Sequence, residues 1–249
     1  MKKILELPDG SSLTYSYREG RHPGVLFLGG FMSDMTGTKA SFLDDFCKKQ
    51  GLAYCRFDYF GHGASSGDFL DGTITRWKND AIAIVDSVVQ GPQIVVGSSM
   101  GGWLMLLLAQ ERPERIRALI GIAAAPDFVK PLVWDQLTVK QKEEIERLGV
   151  SYIPAQHQEK PYPITKKFIE DGQKNEVLTG SKILNIKCPV RLLHGVQDKE
   201  VPYSYSLKLM NCLASDDVRL TLIKEGDHRL NSEEYLQLFG NTILEFVAS

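Results

Sequence analysis

Long hydrophobic runs are missing from this sequence of 249 residues. Its longest apolar stretch covers residues 103–109, well short of the roughly 18 consecutive apolar residues that a membrane-spanning helix needs. We therefore expect no membrane span and interpret that stretch as a buried helix. Internal repeats and low-complexity tracts are also missing, which argues against repeat architectures.

An excess of basic charge is missing as well. The chain has 29 Lys and Arg against 31 Asp and Glu, a formal charge of -2, and the basic residues are scattered, so nucleic acid is not favoured as a partner. No C-x-x-C pair occurs, which leaves no zinc or redox signature and predicts no metal site. The four cysteines are widely spaced and are expected to be small buried hydrophobes: Cys47, Cys55, Cys188 and Cys212.

A secretory signal is not apparent either. After Met1-Lys2-Lys3 only residues 4–7 form an apolar piece before Pro8 interrupts it, and this is too short for the apolar region of a signal peptide. We accordingly expect an intracellular, cytoplasmic protein. The sequence does not determine its oligomeric state.

What is present is an alternation of β-like and helical segments, in a composition of 43% hydrophobic and 24% charged residues that is typical of globular domains. Several β-like runs are almost wholly apolar, as in a parallel sheet buried on both faces. The predicted strands are 12–17, 24–29, 53–58, 93–97, 118–123, 190–194 and 218–223, and the predicted helices are 40–50, 76–89, 100–112, 205–213 and 233–247. This alternation predicts an α/β fold with a mostly parallel, doubly wound sheet.

Residues 127–187 interrupt the alternation. They contain a charged helical stretch at 138–148, a segment rich in Pro and aromatic residues, and a second helical stretch at 165–172. We expect a single domain over residues 1–249 in which 127–187 form a small helical lid above the carboxyl edge of the sheet, the alternative being a small subdomain that does not touch substrate. The lid would contribute apolar residues to an acyl site or to the core: Trp134, Tyr152, Ile153, Tyr162 and Phe168.

The pentapeptide Gly97-Ser98-Ser99-Met100-Gly101 matches the G-x-S-x-G pattern. It follows a buried apolar strand and opens an apolar helix, which is the setting of a nucleophile elbow. The sharp turn would expose the Ser99 hydroxyl and place the positive end of the helix dipole near developing negative charge. Ser99 is therefore the predicted nucleophile, and the neighbouring Ser98 does not fit the pattern.

A serine hydroxyl needs a base, and in elbow enzymes the order along the chain is Ser, acid, His. His228 follows the last predicted strand and is the predicted base. His194 lies at the end of an apolar strand and is expected to be a core or turn histidine. His62 is expected to brace the loop near the nucleophile, and His22 and His157 to lie in surface loops.

The acid should follow the preceding strand, where Asp198 stands in the loop after residues 190–194. There its carboxylate can turn toward the base and hold its tautomer. Asp227 is the alternative, although neighbouring side chains rarely point the same way, and Glu200 is a weaker one.

Acyl transfer also requires donors for an oxyanion. The backbone N–H of Met100, directly after the nucleophile, is one predicted donor. The other should come from Gly29-Gly30-Phe31-Met32, after the strand at 24–29. Phe31 N–H is the predicted donor, with Met32 N–H as the alternative, and the Phe31 side chain is expected to wall the acyl pocket.

Several segments together resemble the α/β-hydrolase group that includes the mitochondrial acyl-glucuronide esterase and palmitoyl-protein thioesterase. They are residues 35–40, 55–59, 91–105, 188–195 and 227–229. The resemblance implies an α/β-hydrolase fold and a serine esterase or thioesterase, with the catalytic Ser, Asp and His at Ser99, Asp198 and His228. The chain shows no Arg-rich extension at its start, so the expectation of a cytoplasmic location stands at this point.

Together these residues predict hydrolysis of a small-molecule or acylated ester or thioester through an acyl-enzyme, without metal or organic cofactor. A peptidase or C–C bond hydrolase on the same scaffold is the alternative within enzymes. A dehalogenase is disfavoured because its elbow carries a carboxylate, whereas this one carries Ser99. A non-catalytic binding protein is the alternative of another class.

Overall fold

The computed structural model describes residues 2–154, 161–180 and 183–247. An eight-stranded sheet forms its centre, in the order β1-β2-β4-β3-β5-β6-β9-β10. The strands of this sheet are β1 (Lys2–Glu6), β2 (Ser12–Arg18), β3 (Arg21–Leu28), β4 (Leu52–Phe57), β5 (Gln93–Ser98), β6 (Ile116–Ile122), β9 (Val190–Gly195) and β10 (Val218–Ile223). A separate antiparallel pair consists of β7 (Val150–Ile153) and β8 (Tyr162–Thr165).

From β4 to β10 every neighbouring pair is parallel, whereas β1 and β2 run antiparallel at one edge. The helices are α1 (Thr38–Gln50), α2 (Ile74–Ser87), α3 (Met100–Glu111), α4 (Val139–Leu148), α5 (Lys166–Lys174), α6 (Ser204–Cys212) and α7 (Glu233–Leu244). They form two apolar clusters with the sheet, one containing the buried faces of α2 and α3, the other those of α1 and α7. The predicted doubly wound, mostly parallel sheet is confirmed.

All seven predicted strands of the sheet are present with ends shifted by a few residues. The edge strand β1 was not predicted, because its Lys-Lys-Ile-Leu-Glu sequence is mostly exposed. The strand is ordered by its pairing with β2. The β7–β8 pair was not predicted either. Of the cysteines, Cys47 and Cys55 are buried as expected, and the other two are half-buried. No helix in the described ranges combines the length and apolarity needed to cross a membrane.

The segment between β6 and β9 carries α4, β7, β8 and α5 and is held by internal hydrogen bonds and by a contact with α3. Asp127 accepts the backbone N–H groups of Val177 and Leu178 at 2.6–3.0 Å. Trp103 on α3 donates its indole N–H to the Asn175 carbonyl at 3.1 Å. The first contact lies within the segment, and the second attaches the segment to α3.

Candidate active site

Ser99 stands at the sharp turn between β5 and α3 with a φ of 55°. Positive φ is uncommon outside glycine, so the surrounding structure must hold this conformation. The close approach of the backbones explains the flanking glycines: a Cβ on Gly97 would lie 2.4 Å from the Gly101 carbonyl oxygen, and one on Gly101 only 2.1 Å from that of Leu28. The elbow predicted from the pentapeptide is thus built as expected.

His228, in the loop after β10, lies against the nucleophile. Its Nε2 is 3.0 Å from Ser99 Oγ, and its Nδ1 is 2.7 Å from Asp198 Oδ2. Because a carboxylate only accepts, Nδ1 carries the hydrogen and Nε2 is left to accept the serine hydroxyl. The three predicted residues therefore form one continuous chain of hydrogen bonds.

Asp198 is buried, and its carboxylate is fully occupied. Besides His228, Oδ2 accepts from His194 Nε2 at 3.1 Å, and Oδ1 accepts the N–H groups of Glu200 and Val201 at 2.9 and 2.8 Å. Burial alone raises the pKa of this carboxyl, but the hydrogen bonds from the two histidines and from Val201 outweigh it. The pKa of Asp198 is held well below its ordinary value, which keeps the side chain ionised.

His194 makes a contact with Asp198 that its position in the sequence did not predict. It is buried, and its Nε2 also faces the Val201 carbonyl at 2.9 Å while Nδ1 lies 2.7 Å from Ser206 Oγ. Both partners of Nε2 accept, so this nitrogen is the protonated one and it steadies the Asp198 carboxylate. The expectation of a core histidine holds for its burial and omitted its contact with the acid.

The rival residues are placed elsewhere. Asp227 is exposed and accepts the Leu230 N–H at 2.8 Å. Glu200 Oε2 lies 3.8 Å from His228 Nε2, the nitrogen that faces the serine, so it cannot orient Nδ1. His22 is exposed, and His157 lies outside the described residues.

The turn after β3 lies beside the nucleophile. A Cβ on Gly30 would be 3.5 Å from Ser99 Cβ. The Met32 N–H, the alternative oxyanion donor, is engaged by His62 Nε2 at 3.2 Å. Phe31 N–H therefore remains the prediction on this side of the site, with Met100 N–H on the other.

A cavity of about 610 Å³ opens onto Ser99 and His228, within the range of small-molecule sites. Its apolar side includes residues of the segment above the sheet: Phe128, Leu132, Val133, Ile153, Tyr162 and Ile164. Ile153 and Tyr162 were expected here, whereas Phe168 is buried in the core and Tyr152 is exposed; Trp134 does not line the cavity.

The polar side of the same cavity carries charges of both signs, among them Lys39, Glu200 and Arg229. Lys39 Nζ donates to Asn231 Oδ1 at 3.2 Å. Burial, reinforced by the charge of Arg229, lowers the pKa of Lys39 to about 8. The cavity therefore combines an apolar wall with charged residues and opens onto Ser99.

Comparison with known proteins decides the family. Residues 22–166, more than half of the chain, match the Hydrolase_4 family, described as serine aminopeptidase, S33. The human palmitoyl-protein thioesterase ABHD10, mitochondrial, is 39% identical over 245 residues, which cover 98% of this chain and 79% of that protein. The chain is a serine hydrolase of the α/β-hydrolase family, of the ABHD10 type.

Solved structures agree with this assignment. Mouse α/β hydrolase domain-containing protein 10 has a TM-score of 0.91 at 38% identity and covers 100% of this chain and 98% of its own. A putative hydrolase from Agrobacterium vitis S4 has a TM-score of 0.94 at 37% identity, with 99% and 98% covered. The α/β-hydrolase fold and the resemblance stated from the sequence are confirmed, and this α/β-hydrolase is an ester or thioester hydrolase.

The prediction of a cytoplasmic location is wrong by the same comparison, because the bovine, human and mouse relatives are named mitochondrial. It rested on the first few residues of the chain. Targeting segments lie outside the folded domain and are removed from it, so the residues that build this fold carry no information about compartment.

Proposed function

We propose that this α/β-hydrolase cleaves acyl esters and thioesters through an acyl-enzyme on Ser99, with His228 as general base and Asp198 as the acid that orients it. The supporting observation is the pair of hydrogen bonds at 2.7 and 3.0 Å that links the three side chains. Nucleophile, base and orienting group in hydrogen-bond reach are the requirement for an activated serine.

In the first step Ser99 Oγ attacks the acyl carbonyl while its proton moves to His228 Nε2. The tetrahedral intermediate then collapses, the C–O or C–S bond breaks, and His228 returns the proton to the departing alcohol or thiol. In the second step His228 takes a proton from water, which attacks the acyl-enzyme; the bond between the acyl carbon and Ser99 Oγ then breaks, His228 returns the proton to Ser99 Oγ, and the carboxylic acid is released. Asp198, ionised throughout, stabilises the imidazolium formed in each step.

The intermediate's oxyanion is held by the N–H groups of Phe31 and Met100. Donors of this kind lower the barrier by about 2.7–4 kcal/mol each. Their proposed placement follows from the turn after β3 lying against the elbow and from the start of α3 at Met100.

For the substrate we propose an S-acylated or O-acylated molecule with an extended acyl chain. The apolar wall of the cavity suits such a chain, and the relatives are named palmitoyl-protein thioesterases. Within the single domain 1–249, residues 127–187 act as a lid that supplies much of this wall and sets the acyl preference.

The test is hydrolysis of p-nitrophenyl esters and acyl thioesters, from acetyl to palmitoyl, by wild type and Ser99→Ala. We expect kcat/KM to fall on the order of 10⁴-fold or more in Ser99→Ala, and labelling by a fluorophosphonate probe to disappear. Ser98→Ala is the control and should keep the label. Retained labelling in Ser99→Ala would assign the nucleophile elsewhere, and an inert wild type would favour a non-catalytic binding protein.

Peptide hydrolysis is the second candidate, favoured by the description of the matching family as serine aminopeptidase. An amide leaving group must be protonated before it departs, which places a heavier demand on His228 as general acid. A peptide anilide and an aryl ester of the same acyl group separate the two. Faster turnover of the anilide would replace the esterase proposal by a peptidase.

A further inference from the structure

His62 follows β4 in the turn Gly61-His62-Gly63, and its side chain is buried. Its ring packs edge-on against the rings of Tyr59, Phe69 and Trp77, at centroid distances of 5.5, 5.0 and 5.1 Å. Polar atoms in such surroundings cost free energy unless they are hydrogen-bonded. Both ring nitrogens must therefore have partners.

Those partners are backbone groups. Nε2 lies 3.2 Å from Met32 N, and Nδ1 lies 3.2 Å from the Phe60 carbonyl oxygen. A backbone N–H donates and a carbonyl accepts, so Nε2 is unprotonated and Nδ1 carries the hydrogen. Burial lowers the pKa of His62 to about 4, so the ring is neutral at neutral pH and keeps its acceptor.

Met32 needs that acceptor because its backbone is strained. It has a φ of 53°, a conformation that costs roughly 1–2 kcal/mol for a residue other than glycine. The hydrogen bond to His62 fixes the peptide group between Phe31 and Met32. This hydrogen bond is one support of the positive φ at Met32.

The preceding peptide group, between Gly30 and Phe31, is fixed by Ser33. The Gly30 carbonyl accepts from Ser33 Oγ at 2.7 Å and from Ser33 N at 3.2 Å. In a trans peptide the C=O and N–H point in opposite directions, so the Phe31 N–H is directed away from Ser33. With this peptide lying beside Ser99, the orientation of the Phe31 N–H depends on both anchors.

We propose that His62 is a positioning residue of the oxyanion site: by accepting the Met32 N–H, it holds the turn in which the Phe31 N–H faces the oxyanion formed on Ser99. This inference rests on the proposed function. His62 itself touches no reacting atom; it acts through one backbone hydrogen bond.

The test compares His62→Phe, which keeps an aromatic ring without an acceptor, with His62→Gln, whose amide oxygen can still accept. The concentration of active sites is first measured by fluorophosphonate titration. If the larger ring of His62→Phe prevents folding, His62→Leu replaces it. We expect His62→Phe to lower kcat about 10- to 100-fold, with KM changed less than about threefold because substrate binding forms no oxyanion. His62→Gln should recover most of the loss.

A trifluoromethyl ketone inhibitor gives a second readout, since its hemiketal on Ser99 carries the oxyanion. Its inhibition constant should weaken in His62→Phe by the same factor as kcat/KM. Unchanged kcat per titrated site, or equal losses in the Phe and Gln variants, would overturn the inference. If Ser99→Ala retained wild-type turnover, the proposed function itself would fail, and the two failures are thereby distinguished.

Discussion

At the scale of single residues, backbone strain is gathered in the loops that border the cavity at Ser99. In the described part of the chain, five residues other than glycine have positive φ: Met32, Ser99, Ala123, Asp127 and Leu230. Each follows a strand of the parallel sheet at its carboxyl end or lies in a loop near it. Such conformations persist only where surrounding contacts over-determine them, and they concentrate at functional sites. Here the contacts are specific hydrogen bonds, such as that between Leu230 N–H and Asp227.

At the same scale, the burial of His62 predicts how the free energy of unfolding depends on pH. Burial lowers its pKa from 6.5 to about 4, so between these pH values the unfolded chain binds a proton that the folded chain does not bind. The stability from neutral His62 is fully present above about pH 6.5 and is lost as pH falls to about 4, by about 3 kcal/mol. Asp80, whose pKa is raised by burial to about 6, opposes this between about pH 6 and 4.

Because Asp80 is present in both proteins, its contribution cancels when the unfolding free energies of wild type and His62→Gln are compared. We expect the advantage of wild type in unfolding free energy, measured by urea denaturation at several pH values, to shrink as the pH is lowered from 6.5 toward 4. Parallel pH curves for the two proteins would contradict a neutral, buried His62.

At the scale of elements, α3 is unusual because it is apolar around its whole circumference. Residues 100–109 are all buried, as expected of a helix enclosed on every side. Its first turn packs so closely against the ends of β3 and β5 that no side chain fits at Gly97 or Gly101. The strand–turn–helix unit therefore cannot shift without breaking its contacts with the sheet, and this rigidity places Ser99.

Gly101→Ala tests this packing. Its Cβ would lie 2.1 Å from the Leu28 carbonyl oxygen and 2.6 Å from that of Gly29, both backbone atoms. We expect a loss of at least about 3 kcal/mol in unfolding free energy, together with loss of fluorophosphonate labelling. The control is Gly149→Ala, where φ is 80° and nothing lies within 4 Å; it should cost only about 1–2 kcal/mol. Equal losses in both variants would show that close packing is not the constraint.

At the scale of the whole molecule, the cavity exists only between two parts of the fold. The carboxyl edge of the sheet supplies Ser99 and His228, and the segment above it supplies the apolar wall. Thr75 at the start of α2 donates to Asp171 on α5 through both N–H and Oγ–H, at 2.7 Å each. Such hydrogen bonds hold α5 against α2, and with it the space for the acyl chain that we propose.

Leu132→Trp should therefore change acyl preference. Leu132 lines the apolar side, and an indole there would occupy space needed by a long chain. We expect turnover of p-nitrophenyl palmitate to fall roughly tenfold or more, while the acetyl ester is nearly unaffected. Leu148→Trp is the matched control, since Leu148 is exposed on α4. Equal effects on both esters would place the acyl chain outside this cavity.

Local pattern alone determined a good part of this protein. The apolar runs and their spacing along the sequence predicted seven strands of the sheet, because each buried parallel strand is recognisable by itself. The elbow at Ser99 was also predictable, since its glycines, strand and helix are contiguous in sequence. The strands that were missed, β1 and the β7–β8 pair, are short and partly exposed, and each is ordered by pairing with the strand next to it along the chain.

Other features were decided by tertiary structure only. Asp198, rather than Asp227, meets His228 Nδ1 because the loops after β9 and β10 come together at neighbouring parallel strands. The hydrogen bond from His194 to Asp198 was not predicted, and although His62 was expected to brace the loop near the nucleophile, its partner, the Met32 N–H, is seen only in the structure. Sequence specifies which groups are available and where strands end; distances and hydrogen-bond directions arise when separate loops meet at one edge of the sheet, and these decide the chemistry.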